Sequence, residues 1–114
     1  RMGFESTPTN VNNSDAVNKV LPAWKEQLGY NSLLSSRRAG MGAEDFAYFT
    51  QTEHKVPGVF FSVGGTSPNL MREIAAGRAN APPHHSAFFK IDPNSVKAGV
   101  EAMYIAALEL LNNP

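Results

Sequence analysis

The sequence predicts an α/β fold, and its apolar residues are the basis of that prediction. The run from Val59 to Val63 follows a Pro-Gly turn and precedes two glycines, which is typical of a short strand buried on both faces. Amphipathic helices are predicted before and after this run, the first from the capping residues 13–15 to a stop at Gly29 and the second from Pro93 to Leu111. Because buried strands flanked by helices are characteristic of α/β sheets, we expect a sheet covered by helices.

The first predicted helix has recognisable signals at both ends. Asn13 to Asp15 offer side-chain oxygens that can cap its start, and Gly29 supplies a stop. Pro22 lies inside the pattern and removes one backbone hydrogen bond, so we expect a kink or an early end there. The apolar residues that recur at helical spacing are Val17, Val20, Leu21, Trp24 and Leu28.

Two shorter helices are predicted in the middle of the chain. One follows the acidic pair at positions 44–45, where Phe46 and Phe49 can share a helix face. The other lies between Ser67, a good capping residue, and Gly77, a good terminating residue.

The last helix has the clearest signals, because Asp92 is a good N-cap and Pro93 suits the first helical position. Its apolar residues are Val96, Val100, Met103, Ala107 and Leu111, with Ile105, Leu108 and Leu110 widening the stripe. A helix this apolar must pack against a sheet and a second neighbour, or it remains poorly protected from water.

Length and charge exclude several classes of function. The 114 residues suit one small domain, and the start at Arg1 suggests a piece excised from a longer protein. Ten basic residues balance ten acidic ones, and Arg37-Arg38 is the single adjacent basic pair, so nucleic acid is not expected as a partner. No apolar run approaches the roughly 20 residues needed to cross a bilayer, so no membrane span is expected. With no cysteine, metal donors must be His, Asp or Glu.

His84 and His85 are the first candidates for chemistry. They end a proline-rich loop before residues 87–91, which we expect to be extended. Adjacent side chains of extended chain point to opposite sides, so one histidine could ligate a metal while the other packs or hydrogen-bonds nearby. From spacing alone, two ordinary loop histidines are the better interpretation. His54 lies in a polar loop, where a solvated side chain is expected.

The other candidates are an acidic pair and a glycine pair. Glu44 and Asp45 could ligate a metal, orient a ligating histidine, or complement the positive end of a helix, which is the default for acidic residues there. Gly64 and Gly65 could let backbone amides approach a substrate carboxylate, although a tight turn explains them more simply. Ser62 lies outside any Gly-x-Ser-x-Gly motif, so serine hydrolysis has little support.

Several motifs follow one another in a fixed order along the chain. They are Met41-Gly42-Ala43-Glu44-Asp45-Phe46, then Pro57-Gly58-Val59-Phe60-Phe61 with Gly64, then His85-Ser86 followed by Phe89 and Ile91-Asp92. Taken together, they resemble the motifs of the aminoacylase and carboxypeptidase G metallopeptidase family, and most closely its hippurate hydrolase and auxin-conjugate hydrolase branch. The resemblance covers nearly the whole chain.

The resemblance implies a particular organisation. Residues 1–12 would be the exit from an inserted lid or dimerisation domain, because Pro8, Thr9 and Asn10 resemble that passage. Residues 13–114 would be the C-terminal part of a zinc-peptidase-like catalytic domain, forming part of a three-layer α/β/α sheet.

By the same resemblance, His85 is the last ligand of a two-metal site, and the Glu44-Asp45 motif lies near it. The remaining ligands and the general base would come from a missing N-terminal half. The metal would be zinc, with manganese, cobalt or nickel as alternatives.

The function implied is cleavage of N-acyl amino acids or related peptide-like amides. The fragment alone should be inactive, and it should associate with its missing half or self-associate as a homo-oligomer through apolar helix faces. The competing hypothesis is a non-catalytic structural or interaction module that retains the fold.

Overall fold

The computed structural model describes residues 8–34 and 44–113, and all the regular secondary structure in these residues is helical. The α-helices within these ranges are α1 (Ser14–Leu28), α2 (Phe46–Thr50), α3 (Pro68–Ala75) and α4 (Pro93–Asn112). A short 3-10 helix, Tyr30–Ser32, follows α1.

The predicted α/β fold, a partial three-layer sheet, is wrong, since residues 8–34 and 44–113 contain no strand. A strand needs a neighbouring backbone to complete its hydrogen bonds, and local sequence cannot supply one. The side chain of Asn12 bonds the Phe60 backbone instead. Nor is the apolar run covered on both faces, because Phe60 is 37% exposed and Val63 is 42% exposed.

Helix α1 begins and ends where the sequence predicts. The Asn13 side chain accepts a hydrogen bond from the Ala16 N–H at 2.9 Å, which satisfies one of the free donors of the first turn. Gly29 is the C-cap, with φ at 88°. The helix continues through Pro22, so the early end that this proline could have caused does not occur.

Helix α3 ends in a Schellman motif, in which the chain reverses around a left-handed glycine. Gly77 has φ at 70°, and its N–H donates to the Ile74 carbonyl at 2.9 Å. The Arg78 N–H donates to the Glu73 carbonyl at 2.9 Å. These two bonds satisfy carbonyl groups that the end of a helix otherwise leaves free. Ser67 caps the other end, as predicted, by accepting from the Leu70 N–H.

Helix α4 also begins as predicted, with the Asp92 side chain accepting from the Asn94 N–H at 2.9 Å. Its apolar residues divide between two faces. One face is buried and consists of Ala102, Ile105 and Ala106. The predicted stripe lies on the other face and is largely exposed, with Val100 at 63% and Leu111 at 77%. Since no sheet covers it within the described residues, this stripe remains poorly protected from water.

Two compact units make up the chain. The first comprises residues up to Phe61 together with those from Tyr104 onward, and the second is Ser62–Met103. Eight apolar residues are buried among the described ones, and five of them are alanine. The larger three are Val20, Trp24 and Ile105, all in the first unit. The second unit buries Ala102 alone, so most of its apolar surface contacts water.

Aromatic side chains pack around α2 in the first unit. The ring of Phe46 lies 6.2 Å from that of Phe49, as their predicted shared face requires, and 5.5 Å from that of Phe60. Trp24 of α1 meets Phe61 edge-on, with ring centroids 4.8 Å apart. These separations lie within the range that aromatic pairs favour.

No helix among the described residues is both long enough and apolar enough to span a membrane.

Candidate functional site

His85 lies at the third position of a β-turn formed by residues 83–86. The Ser86 N–H donates to the Pro83 carbonyl at 3.2 Å and closes this turn. The backbone of His85 is left-handed, with φ at 65°, a conformation that costs energy for any residue with a side chain. Its side chain is exposed. The turn therefore holds an imidazole in water at a position that favours glycine.

A second turn follows directly and shares Ser86 with the first. The Phe89 N–H donates to the Ser86 carbonyl at 3.0 Å, and the Phe88 N–H donates to the Ser86 Oγ at 3.1 Å. Residues 87–88 therefore turn instead of continuing the extended stretch that we predicted for 87–91. The sequence Ser-Ala-Phe-Phe favours this because a serine hydroxyl can bond the backbone two residues ahead.

The two adjacent histidines have different environments. The His84 ring lies 5.0 Å from the Phe89 ring, with the planes inclined at 53°. The His85 side chain has no hydrogen bond, ion pair or ring contact with any described residue. His84 is thus the exposed histidine with a ring contact, and the assignment of His85 as a metal ligand stays a prediction. His54, the third histidine, is solvated as predicted, since 77% of its side chain is exposed.

Glu44 and Asp45 lie at the start of α2, both exposed. Their backbone carbonyls accept the N–H groups of Ala47 and Tyr48 at 3.1 and 3.0 Å. Asp45 occupies the N-cap position, but its side chain makes no capping hydrogen bond. The first turn of α2 is therefore stabilised by backbone hydrogen bonds and not by these carboxylates. Neither carboxylate has a partner among the described residues. Met41, Gly42 and Ala43 of the same motif lie outside the described residues.

The candidate residues are distributed over both units. Glu44 and Asp45 belong to the first, whereas Gly64, Gly65 and His85 belong to the second.

Close packing accounts for Gly65. A Cβ added there would lie 3.0 Å from Ile91 Cγ2, tighter than ordinary contacts, and the Gly65 carbonyl accepts the Asp92 N–H at 2.7 Å. Gly64 differs, because an added Cβ would meet nothing within 4 Å. The role in substrate binding stays a prediction for both, and the close approach of Ile91 is a sufficient structural reason for glycine at 65.

A resident metal ion needs several donors, usually four around zinc. Among the described residues no group of three His, Asp or Glu side chains is close enough to hold one. The His85 imidazole has the right chemistry for a zinc ligand and is accessible. The described residues therefore fit the role of supplying one ligand, and they do not fit that of holding an ion unaided.

One further feature has no motif in the sequence. A cavity of about 410 Å³ lies in the first unit beside the start of α1, with Asn12, Ser14, Gln51 and Lys55 among its lining residues. Lys55 has φ at 44°, so Lys55 and His85 are the two non-glycine residues with a positive φ among the described residues. Two segments distant in sequence, 9–14 and 50–58, line this cavity with both polar and apolar residues, so no local pattern could have predicted it.

Comparisons with protein families, with curated proteins and with solved structures found no match to this chain. The resemblance to aminoacylase and carboxypeptidase G metallopeptidases therefore stays a prediction based on sequence motifs.

Proposed function

We propose that this chain is the C-terminal segment of a metal-dependent amidohydrolase and that His85 is the one metal ligand it contributes. The substrates proposed are N-acyl amino acids or related amides. The order of motifs along the sequence supports the proposal, since it resembles the order in aminoacylase and carboxypeptidase G metallopeptidases.

The observation that carries the proposal is the exposed His85 side chain on a left-handed backbone. Its φ of 65° disfavours a side chain, and no contact with a described residue compensates for that cost. Strained residues of this kind occur often at functional sites, where the surrounding structure holds them in place. The exposed imidazole at such a position supports a role in binding a ligand.

The other ligands would come from an N-terminal half of the same protein. A zinc-type ion held there would supply Lewis acidity for amide hydrolysis. Within this chain, the neutral His85 imidazole would offer a ring nitrogen lone pair to the ion. By the resemblance, the carboxylates of Glu44 and Asp45 would have a supporting role in the intact enzyme. Hydrolysis adds one water across the amide and releases an acid and an amino acid.

The test uses the intact polypeptide that the proposal requires, assayed for hydrolysis of N-acetyl and N-benzoyl amino acids with Zn²⁺, Mn²⁺, Co²⁺ or Ni²⁺. His85→Ala should lower activity by about ten- to a hundred-fold or more, judged from the cost of losing even supporting residues, and should lower metal content. His54→Ala is the matched control and should change neither. Full activity and metal content in His85→Ala would overturn the proposal.

A non-catalytic interaction module is the second candidate, and the exposed face of α4 favours it. Val96 is 55% exposed and Met103 is 60% exposed, within a run of apolar residues on one side of the helix. Apolar surface of this kind often marks an interaction site. Absence of hydrolysis for every N-acyl amino acid and metal tested, with concentration-dependent association retained, would favour this candidate over the enzyme.

A further inference from the structure

The backbone of Phe60 is extended, because a single side chain bonds both of its polar groups. The Asn12 amide accepts the Phe60 N–H at 2.7 Å and donates to the Phe60 carbonyl at 2.8 Å. One amide can reach both groups only where they point to the same side of the chain, as they do in a β-strand. Two residues earlier, the Gly58 carbonyl accepts the N–H of Asn13, the neighbour of Asn12. One edge of this extended segment is therefore hydrogen-bonded within the chain.

The opposite edge belongs to Val59 and Phe61. Residues 55–65 contain no turn or bend, and successive residues of extended chain direct their N–H and C=O groups to alternate sides. The backbone groups of Val59 and Phe61 therefore point away from Asn12, and they form no hydrogen bond with a described residue. We call these groups the open edge. Val59 and Phe61 both belong to the first compact unit.

Aromatic contacts occupy the two faces that lie between these edges. The Phe60 ring lies 5.5 Å from the Phe46 ring, and the Phe61 ring lies 4.8 Å from the Trp24 ring. Because adjacent side chains of extended chain point to opposite faces, these contacts hold the segment from both faces. The open edge is thus the one side of the segment on which the described residues place no bonding group.

A row of free backbone N–H and C=O groups is complementary to another extended chain. Natural proteins protect such edges with charged side chains or with proline. Residues 56–65 contain no charged side chain, so no like charges would repel a second copy of the same segment. Pro57 has no N–H and would end any pairing before Val59, which limits the length of the paired segment.

We infer that the open edge pairs antiparallel with the open edge of a second copy of this chain. Pairing about Phe60 places Val59 opposite Phe61 of the second copy, and two opposed residues of this kind exchange both of their N–H···O=C bonds. The edge is therefore complementary to itself under two-fold symmetry, the commonest symmetry of protein dimers. The pairing would lie between chains, so it does not restore the predicted three-layer sheet. It is also independent of metal binding by His85.

Amide hydrogen exchange of the unaltered chain, followed by NMR over a range of protein concentrations, tests this alternation directly. The Phe60 amide is bonded within the chain and should exchange more slowly than its two neighbours in dilute solution. The Val59 and Phe61 amides should become protected as the protein associates. Val59 and Phe61 amides that stay unprotected in the associated protein would overturn the inference. A chain that remains monomeric at every concentration would overturn it as well.

Variants separate the backbone of the open edge from its side chains. Val59→Pro removes one N–H from each copy and should weaken association, measured by sedimentation, by about tenfold or more. Val59→Thr is the matched control, because threonine is also β-branched but retains the N–H, and it should associate like the unaltered chain. Equal weakening in both variants would contradict the role given to the backbone.

A variant of α4 distinguishes the open edge from the exposed apolar face of that helix. Met103 is 60% exposed, and Met103→Ser should leave association unchanged if the open edge is the interface. Association that is lost in Met103→Ser and retained in Val59→Pro would assign the interface to α4 and overturn the inference.

Discussion

The side-chain amide of Asn12 pairs with the backbone of Phe60 as a neighbouring strand would. Its Nδ2 donates to the Phe60 carbonyl at 2.8 Å, and its Oδ1 accepts the Phe60 N–H at 2.7 Å. One residue along, the Asn13 N–H donates to the Gly58 carbonyl at 2.9 Å. Within the apolar run that we predicted to be a strand, the Phe60 backbone thus bonds a side chain, while the backbone bond from Asn13 meets Gly58, just before the run.

Removing this amide should destabilise the first unit. We expect Asn12→Ala to lower the free energy of unfolding by about 1 kcal/mol, because two hydrogen bonds are lost and water replaces them at an exposed position. Asn18→Ala makes the same change on the exposed side of α1 and should be neutral or slightly stabilising, since alanine favours helix. Urea denaturation measures both, and equal stability of the two variants would refute the role given to Asn12.

The left-handed backbone of Gly77 predicts a specific cost for alanine. Nothing lies within 4 Å of an added Cβ there, so the penalty is one of conformation alone. We expect Gly77→Ala to destabilise by about 1 kcal/mol, after allowing for the reduced entropy of its unfolded chain. Gly64 is equally open but not left-handed, so Gly64→Ala should be neutral or stabilising. The idea fails if thermal unfolding ranks these two variants in the opposite order.

The pairing of Glu73 with Arg78 should be visible in a titration. Hydrogen bonds from the guanidinium at 2.8 Å lower the pKa of the Glu73 carboxyl from 4.5, and those bonds likewise raise the pKa of Arg78. Because the folded pKa of Glu73 is the lower one, the pair stabilises the fold above the unfolded pKa. That contribution is lost as the pH falls through the folded pKa.

We therefore expect Arg78→Met to raise the pKa of Glu73, measured by carbon NMR of its carboxyl group. Lys97→Met removes the lysine of another exposed ion pair, Lys97–Glu101 at 3.7 Å, and should leave the Glu73 value unchanged. An unchanged Glu73 pKa in Arg78→Met would show that the bidentate pair does not persist in solution.

Position 85 should prefer glycine for stability. His85→Gly is expected to be about 1 kcal/mol more stable than His85→Ala, because glycine adopts a φ of 65° without steric cost. His54 lies in a loop and has no positive φ, so His54→Gly should be no more stable than His54→Ala. If His85→Gly is no more stable than His85→Ala, the strain attributed to this turn is absent.

Helix ends were predictable because their signals are local. A side-chain oxygen at Asn13, Ser67 or Asp92 bonds an N–H two or three residues ahead, so a short window of sequence contains both partners. The end of α3 at Gly77 was predictable for the same reason, because the hydrogen bonds there join residues close in sequence. These capping hydrogen bonds form in the described residues as the residue types indicate.

Sheet formation was not predictable in this way. Apolarity between residues 59 and 63 indicates a segment suited to burial, but the partner strand that would complete the hydrogen bonds lies elsewhere in sequence.

The candidate site also depends on contacts that local sequence does not indicate. The sequence did not indicate the ring contact between His84 and Phe89, because that contact depends on two consecutive turns. Likewise, the contact of Ile91 with Gly65 joins residues 26 positions apart, so no local pattern indicates it.

An interior composed largely of alanine also shapes how the chain should respond to mutation. Shortening a buried side chain removes volume in proportion to its size, and alanine has almost nothing to remove. Sensitivity to truncation should therefore concentrate at Val20, Trp24 and Ile105, whereas enlarging a buried alanine would crowd its neighbours. The interior would then resist change in two directions, with the three large residues intolerant of shortening and the alanines intolerant of growth.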